Sequence, residues 1–286
     1  MSNNPLSKLY RNKSIYIQLP SKGKYYTSGI NLSIDNELGI MPMTAKDEIA
    51  LKSPDTLFNG EGLINMIKSC VPDIHNPEEI PACDIDPIVL GIRAASKKTV
   101  ELEIECPHCK NTSTYEIDLT GIISSSKELE DDSNIVILEN GVKVYIRPYS
   151  LKSQLKANIQ KFHHTRMEYL LNNSEIDSDK KIEMFSKAFK EATQLTMELV
   201  SDNILKVEID SETTVENPKH IREWVENMDK DTYNKITDRI KTISVSTIDN
   251  NITVFCQPCD KNFNTIIELN PVNFFIWGLL KCLHMN

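Results

Sequence analysis

Two Cys-x-x-Cys pairs constrain this chain more than any other feature: Cys106-Pro107-His108-Cys109 and Cys256-Gln257-Pro258-Cys259. Each lies between runs that alternate apolar and polar residues, the pattern of a strand with one buried face. Superimposed without a gap, the two segments agree beyond the cysteines. Leu102 and Ile104 fall on Ile252 and Val254, and Ile117, Asp118 and Leu119 fall on Ile267, Glu268 and Leu269. A tight turn presenting two thiolates is half of a tetrahedral metal site, and Zn²⁺ closes its shell only when a second such turn faces it. Cys106, Cys109, Cys256 and Cys259 are therefore expected to ligate one structural zinc ion, in a ribbon split in sequence and joined by the fold. Ligand pairs in such sites usually lie about 15–20 residues apart; here residues 110–255 intervene. The metal would staple the middle of the chain to its C-terminal part.

Other readings of the cysteines are available. His108, Cys282 and His284 are substitute ligands in principle, although surface or packing roles suit them better. A thiol–disulfide oxidoreductase also carries a Cys-Pro-His-Cys, with its first thiol activated at a helix N-terminus. Residues 112–119 and 264–269 alternate as strands instead, which disfavours redox catalysis. Free structural thiols and local disulfides complete the alternatives.

A net charge of −9 disfavours nucleic acid as a partner, because phosphate binding calls for clustered Lys and Arg. No apolar run follows the N-terminus, so no signal peptide is expected. The longest apolar stretch, residues 274–280, is well short of the ~20 that span a bilayer. Seven cysteines, an odd number with four in close pairs, fit reduced thiols and metal in a cytosolic setting.

The pattern along the chain predicts an α+β fold: a small mixed β/zinc-ribbon core with a mainly helical insertion between the two half-sites. Residues 1–13 read as an extended or disordered arm. Residues 14–149 together with 248–286 read as the core, and 150–247 as the insertion. Short strands are predicted at 14–19, 30–34 and 38–43. Thr44 caps a short helix. Gly60 and Gly62 open another, with Leu63, Met66, Ile67 and Cys70 on one face. Asp84 is expected to cap a third helix that buries Ile88, Ile92 and Ala95. Asn140-Gly141 signals a hairpin over 135–146. Within 150–247, four helices follow from apolar residues at helical spacing. Ile182, Phe185, Phe189, Ala192, Leu195 and Leu199 form one stripe, and Asn217-Pro218 starts a later helix. After the second pair, Phe274, Phe275, Trp277 and Leu280 exceed what one narrow helical stripe needs. They are candidates for core packing or for contact with a partner, a second copy included.

Catalytic patterns are lacking. There is no glycine-rich phosphate loop, no Gly-x-Ser-x-Gly and no His-Glu-x-x-His. Asp84 and Asp86 read as capping, and His163-His164 as an exposed helix face. Four thiolates close a metal's shell, whereas catalytic zinc keeps a position open. A non-enzymatic protein is the expectation.

Residues 19–26, Leu-Pro-Ser-Lys-Gly-Lys-Tyr-Tyr, and 41–48, Met-Pro-Met-Thr-Ala-Lys-Asp-Glu, bring a family into view. With Gly60, the stretch from Ile67 to Val71, the helix from Asp86 to Arg93 and Cys106-Pro107-His108-Cys109, they form an ordered set over about residues 14–120. This set resembles the baseplate hub family of T4-type contractile-tailed bacteriophages. The resemblance implies a component of the virion tail, made in the host cytoplasm. It would act by docking neighbours such as the central hub subunits and the end of the tape measure protein. A transient hub assembly chaperone is the alternative within that family. A zinc-ribbon nucleic-acid binder is the alternative outside it, and the carboxylates around both pairs weigh against that.

Overall fold

The computed structural model describes residues 4–51, 60–173 and 178–267. The chain divides into two compact units, one of residues 1–77, 84–128 and 246–286 and the other of 78–83 and 129–245. Helix and strand are mixed throughout, as the alternating 2.0 and 3.6 periods require.

In the first unit, β1 (Ile15–Gln18) and β2 (Glu37–Ile40) form an antiparallel ribbon that sets Ile17 opposite Leu38 and buries both. Helix α1 (Ala45–Ala50) starts with a reciprocal cap: the Thr44 hydroxyl accepts from Asp47 N–H and the Asp47 carboxylate accepts from Thr44 N–H. Helix α2 (Glu61–Cys70) follows Gly60, whose φ of 75° is readily open only to glycine. Helix α3 (Ala82–Ser96) buries Ile88, Leu90 and Ile92. It approaches the β1–β2 ribbon at Gly91, where an added Cβ would collide with Ile40 and touch Ile17. The hairpin of β3 (Thr99–Glu105) and β4 (Thr112–Asp118) comes next, then a six-residue helix, α4 (Leu119–Ser124), capped by Asp118.

The second unit is built on an antiparallel sheet in the order β5 (Ile135–Ile137), β6 (Lys143–Ile146), β7 (Ile204–Glu208), β8 (Thr214–Val215). Helices α5 (Leu151–Asn173) and α6 (Ser178–Asp202) intervene between β6 and β7. Helices α7 (Pro218–Asn227) and α8 (Lys230–Ser244) follow β8, capped by Asn217 and Asp229. Val144 and Ile146 of the sheet pack with Ile221, Val225, Ile236 and Ile240 of these two helices in one core. Residues 78–83 belong here because Ala82 N–H donates to Tyr149 C=O and Leu151 N–H donates to Ile80 C=O. The chain then returns to the first unit, whose described part ends with the hairpin of β9 (Asn251–Cys256) and β10 (Lys261–Ile266).

Several elements differ from the sequence reading. Residues 4–13 are not a free arm. Pro5–Leu9 form a 3₁₀ turn, and the Arg11 guanidinium donates to Pro42 C=O and to Ser69 C=O and pairs with Asp47. The predicted strand at 30–34 contributes one bridge, Ile30 to Ile74. The 135–146 hairpin pairs with β7 and sits in the second unit, because Val144 faces Val207. Asp84 does not cap α3 from outside; it lies within the first turn with its carboxylate buried. The stripe on α6 is covered only in its C-terminal half, and Ile182, Phe185 and Phe189 face outward. Phe274, Phe275, Trp277, Leu280, Cys282 and His284 lie outside the described residues.

Candidate metal centre

Both Cys-x-x-Cys pairs sit at the closed ends of hairpins, and the two turns repeat one geometry. Cys106 follows β3, and the N–H of Lys110 donates to its carbonyl at 2.9 Å. Cys256 ends β9, and the N–H of Asp260 donates to its carbonyl at 2.9 Å. Lys110 and Asp260 both adopt left-handed backbone, at φ 61° and 57°. That conformation costs an L-residue roughly 1–2 kcal/mol. It reverses the chain just after the second cysteine, so that both sulfurs of a pair point the same way.

The four sulfurs converge within 4.8 Å of one another. Cys106 Sγ lies 3.7 Å from Cys259 Sγ, and Cys109 Sγ lies 3.6 Å from Cys256 Sγ. These separations far exceed the ~2.05 Å of a disulfide. A tetrahedron of sulfurs at ~2.3 Å from a central ion has edges of about 3.8 Å. The donor set thus fits a metal ion. Cys106 and Cys256 are buried, while Cys109 is exposed and Cys259 intermediate, so the cluster opens to solvent on one side.

The thiols are electrostatically unequal. Burial opposes ionisation of Cys106. The N–H groups of Cys109 and His108 and the thiols of Cys256 and Cys259 outweigh it and bring its pKa down to about 7. Burial and the surrounding thiols push Cys259 up to about 12. Cys106 therefore ionises readily, whereas Cys256 and Cys259 resist ionising beside it. Below the cluster, Tyr115 of β4 meets Phe263 of β10 edge to face, with centroids 6.4 Å apart. Burial first, then the charge of Cys256, raises the Tyr115 pKa, so the phenol stays protonated beside the sulfurs.

All four sequence-predicted cysteines come together. His108 is exposed and is not part of the cluster. Among the described residues no other group of metal-ligating side chains converges. Cys70 and Cys83 are buried, and burial pushes the Cys70 thiol up to about 11. Strands rather than helices follow both pairs, so neither has the helix N-terminus that activates a redox thiol. The Tyr115–Phe263 contact escaped the sequence reading, since alternation marks both as inward-facing without saying that they meet.

A second built feature lies in the loop of residues 19–26. Asp84, fully buried, accepts from Ser21 N–H at 2.9 Å, from the Ser21 hydroxyl, and from the Tyr26 hydroxyl at 2.8 Å. The loop needs such an anchor because Lys22, Gly23 and Tyr25 all have positive φ. Ser21 and Tyr26 of the 19–26 motif are thus explained by one carboxylate, and Gly23 by its left-handed backbone.

A mixed α+β protein, with two distant hairpins converging on a four-cysteine centre and a Ser-Tyr loop locked on a buried Asp, is the class these features define. No helix among the described residues is long and apolar enough to cross a membrane. The chain belongs to the T4 bacteriophage base plate protein family, whose sequence model matches residues 12–276. The match runs through the second unit and well past the 14–120 stretch that carried the resemblance. No curated protein and no solved structure matches the chain.

Proposed function

We propose that the chain is a structural component of the baseplate hub of a contractile phage tail. It acts by docking protein neighbours rather than by catalysis, and a zinc ion held by Cys106, Cys109, Cys256 and Cys259 fixes its first unit. The observation that supports this reading is the convergence of the four sulfurs in a chain of base plate family. Zinc fits the donor set because four thiolates at tetrahedral spacing suit a soft, redox-inert cation and leave no open position for chemistry. When bound, it supplies a rigid cross-link between the two hairpins. The residues do the rest: Lys110 and Asp260 shape the turns, and Tyr115 and Phe263 pack the hairpins beneath them.

In this reading the protein sits in the virion tail after assembly in the host cytoplasm. The central hub subunits and the tape measure protein are its neighbours, and Phe274, Phe275, Trp277 and Leu280 supply an apolar contact. The architecture follows as a split ribbon core interrupted by a largely separate module.

Two measurements test it. Elemental analysis of the purified protein, paired with thiol titration, should give one zinc per chain and four thiols protected until a chelator is added. Cys106→Ser with Cys256→Ser should abolish tail assembly; normal tails from that double variant would refute the structural role. Counting copies in purified particles separates a permanent component, present at fixed stoichiometry, from an assembly chaperone, which would be absent.

A further inference from the structure

The outward face of α6 carries an apolar patch that no feature of the metal centre explains. Ile182, Phe185 and Phe189 are 67%, 61% and 66% exposed. Their spacing of three and four residues puts them on one helical face. Ala188, on the adjoining face, is buried, so the stripe lies beside the contact α6 makes within its own unit. Three large apolar side chains in successive turns are more than scattered surface residues and mark an interaction site.

We propose that this face pairs with the same face of a second copy, the two α6 helices running antiparallel about a two-fold axis between residues 186 and 187. Charge and shape both select a second copy. With that axis, Phe189 of one helix lies level with the gap between Ile182 and Phe185 of the other, so the stripe fills its own holes as knobs do in paired helices. Glu183 and Lys190 share the open flank of the stripe, seven residues apart and equidistant from the axis. Antiparallel pairing sets each Glu183 level with the partner's Lys190, and the two-fold repeats the pair. Neither side chain makes an ion pair with a described residue of its own chain. Ser186 and Thr193, exposed, small and uncharged, line the same edge and let the helices approach.

Sedimentation velocity of the full chain over a concentration series tests the pairing. The parent should dimerise reversibly, and Phe185→Ser with Phe189→Ser should leave a monomer whose circular dichroism is unchanged, because both side chains are exposed. Glu183→Lys or Lys190→Glu alone opposes like charges twice per dimer and should raise the dissociation constant about 3–30-fold. The two together restore complementarity and should return it to within about twofold of the parent. A parent that stays monomeric at every concentration overturns the proposal. So does a dimer indifferent to the Phe substitutions, or a double charge reversal that fails to rescue.

Discussion

Removing the zinc proposed at the four cysteines should perturb one unit and spare the other. In the unfolded chain Cys106 and Cys259 are 153 positions apart. Closing a loop of that length costs about 5 kcal/mol of chain entropy. The unfolded chain therefore offers separate half-sites, and the four-sulfur site exists only in the folded unit. With free zinc a thousandfold above its Kd, binding to the folded state alone adds about 4 kcal/mol. For a unit of this size 1 kcal/mol is worth about 2–4 °C, so chelation should lower its melting temperature by about 8–16 °C. The second unit holds none of the four cysteines and has its own core around Val144, Ile146, Ile236 and Ile240. Calorimetry with and without excess chelator measures the shift, and amide exchange assigns it. Protection should fall in β3–β4 and β9–β10 and persist in β6–β7. A chelator that leaves the melting curve in place would refute the argument. A chelator that destabilises Cys106→Ser as much as the parent, or strips protection from β6–β7 equally, would do the same.

Further tests address the supports around the centre. Asp84→Ala removes the acceptor shared by the Ser21 N–H, the Ser21 hydroxyl and the Tyr26 hydroxyl; at ~1–3 kcal/mol per buried hydrogen bond lost, urea denaturation should show a loss of about 3–5 kcal/mol. Gly91→Ala should cost about 1–3 kcal/mol by overpacking against Ile40, read in the same assay. Lys110→Pro removes the N–H that closes the first turn and forbids the left-handed φ, so the purified protein should lose its metal by elemental analysis while β6–β7 stay protected. Asp47 supplies an acid test. Burial opposes its ionisation, but the Thr44 and Ser69 hydrogen bonds and the Arg11 charge hold its pKa below 3.8. Its folded pKa is depressed, so its contribution is complete above about pH 4 and disappears as pH falls through the lower folded value. Amide protection around residues 44–48 should fall in that acid window, and Asp47→Asn should remove the dependence.

The candidate site was readable in the sequence because its signal is local. Each Cys-x-x-Cys fixes a turn, and the gapless match of Leu102 and Ile104 to Ile252 and Val254 announces two equivalent hairpins. Short-range capping was equally plain at Thr44 and Asn217, where the side chain bonds within three residues. What failed depends on partners far away in sequence. Asp84 looked like a cap, since nothing near it shows that Ser21 and Tyr26 close over its carboxylate. The 135–146 hairpin was recognised from Asn140-Gly141, yet its place in the second unit is decided by β7, sixty residues on. The α6 stripe was plain in its spacing, but periodicity marks an apolar face without saying what covers it. Arg11, one cation in a polar stretch, gave no sign that Pro42, Asp47 and Ser69 surround it.

The acidic outer face of the first cysteine hairpin bears on what a metal at its tip would contribute. Isolated two-stranded hairpins are marginal in water. In β3–β4 only Ile117 is buried, while Leu102 and Ile104 are intermediate. The opposite face exposes Glu101, Glu103, Glu105 and Glu116, and the register sets Glu101 directly across from Glu116. Like charges so placed destabilise a hairpin by a few tenths to about 1 kcal/mol. Lys97 and Lys110 each approach one of these carboxylates, both as exposed pairs of small worth. A metal cross-link at the sulfurs of its tip would add to the seven-pair ladder and the Tyr115–Phe263 contact that hold this thin-faced hairpin. The same carboxylates, Glu101, Glu103, Glu105 and Glu116, would repel a phosphate backbone brought against this face.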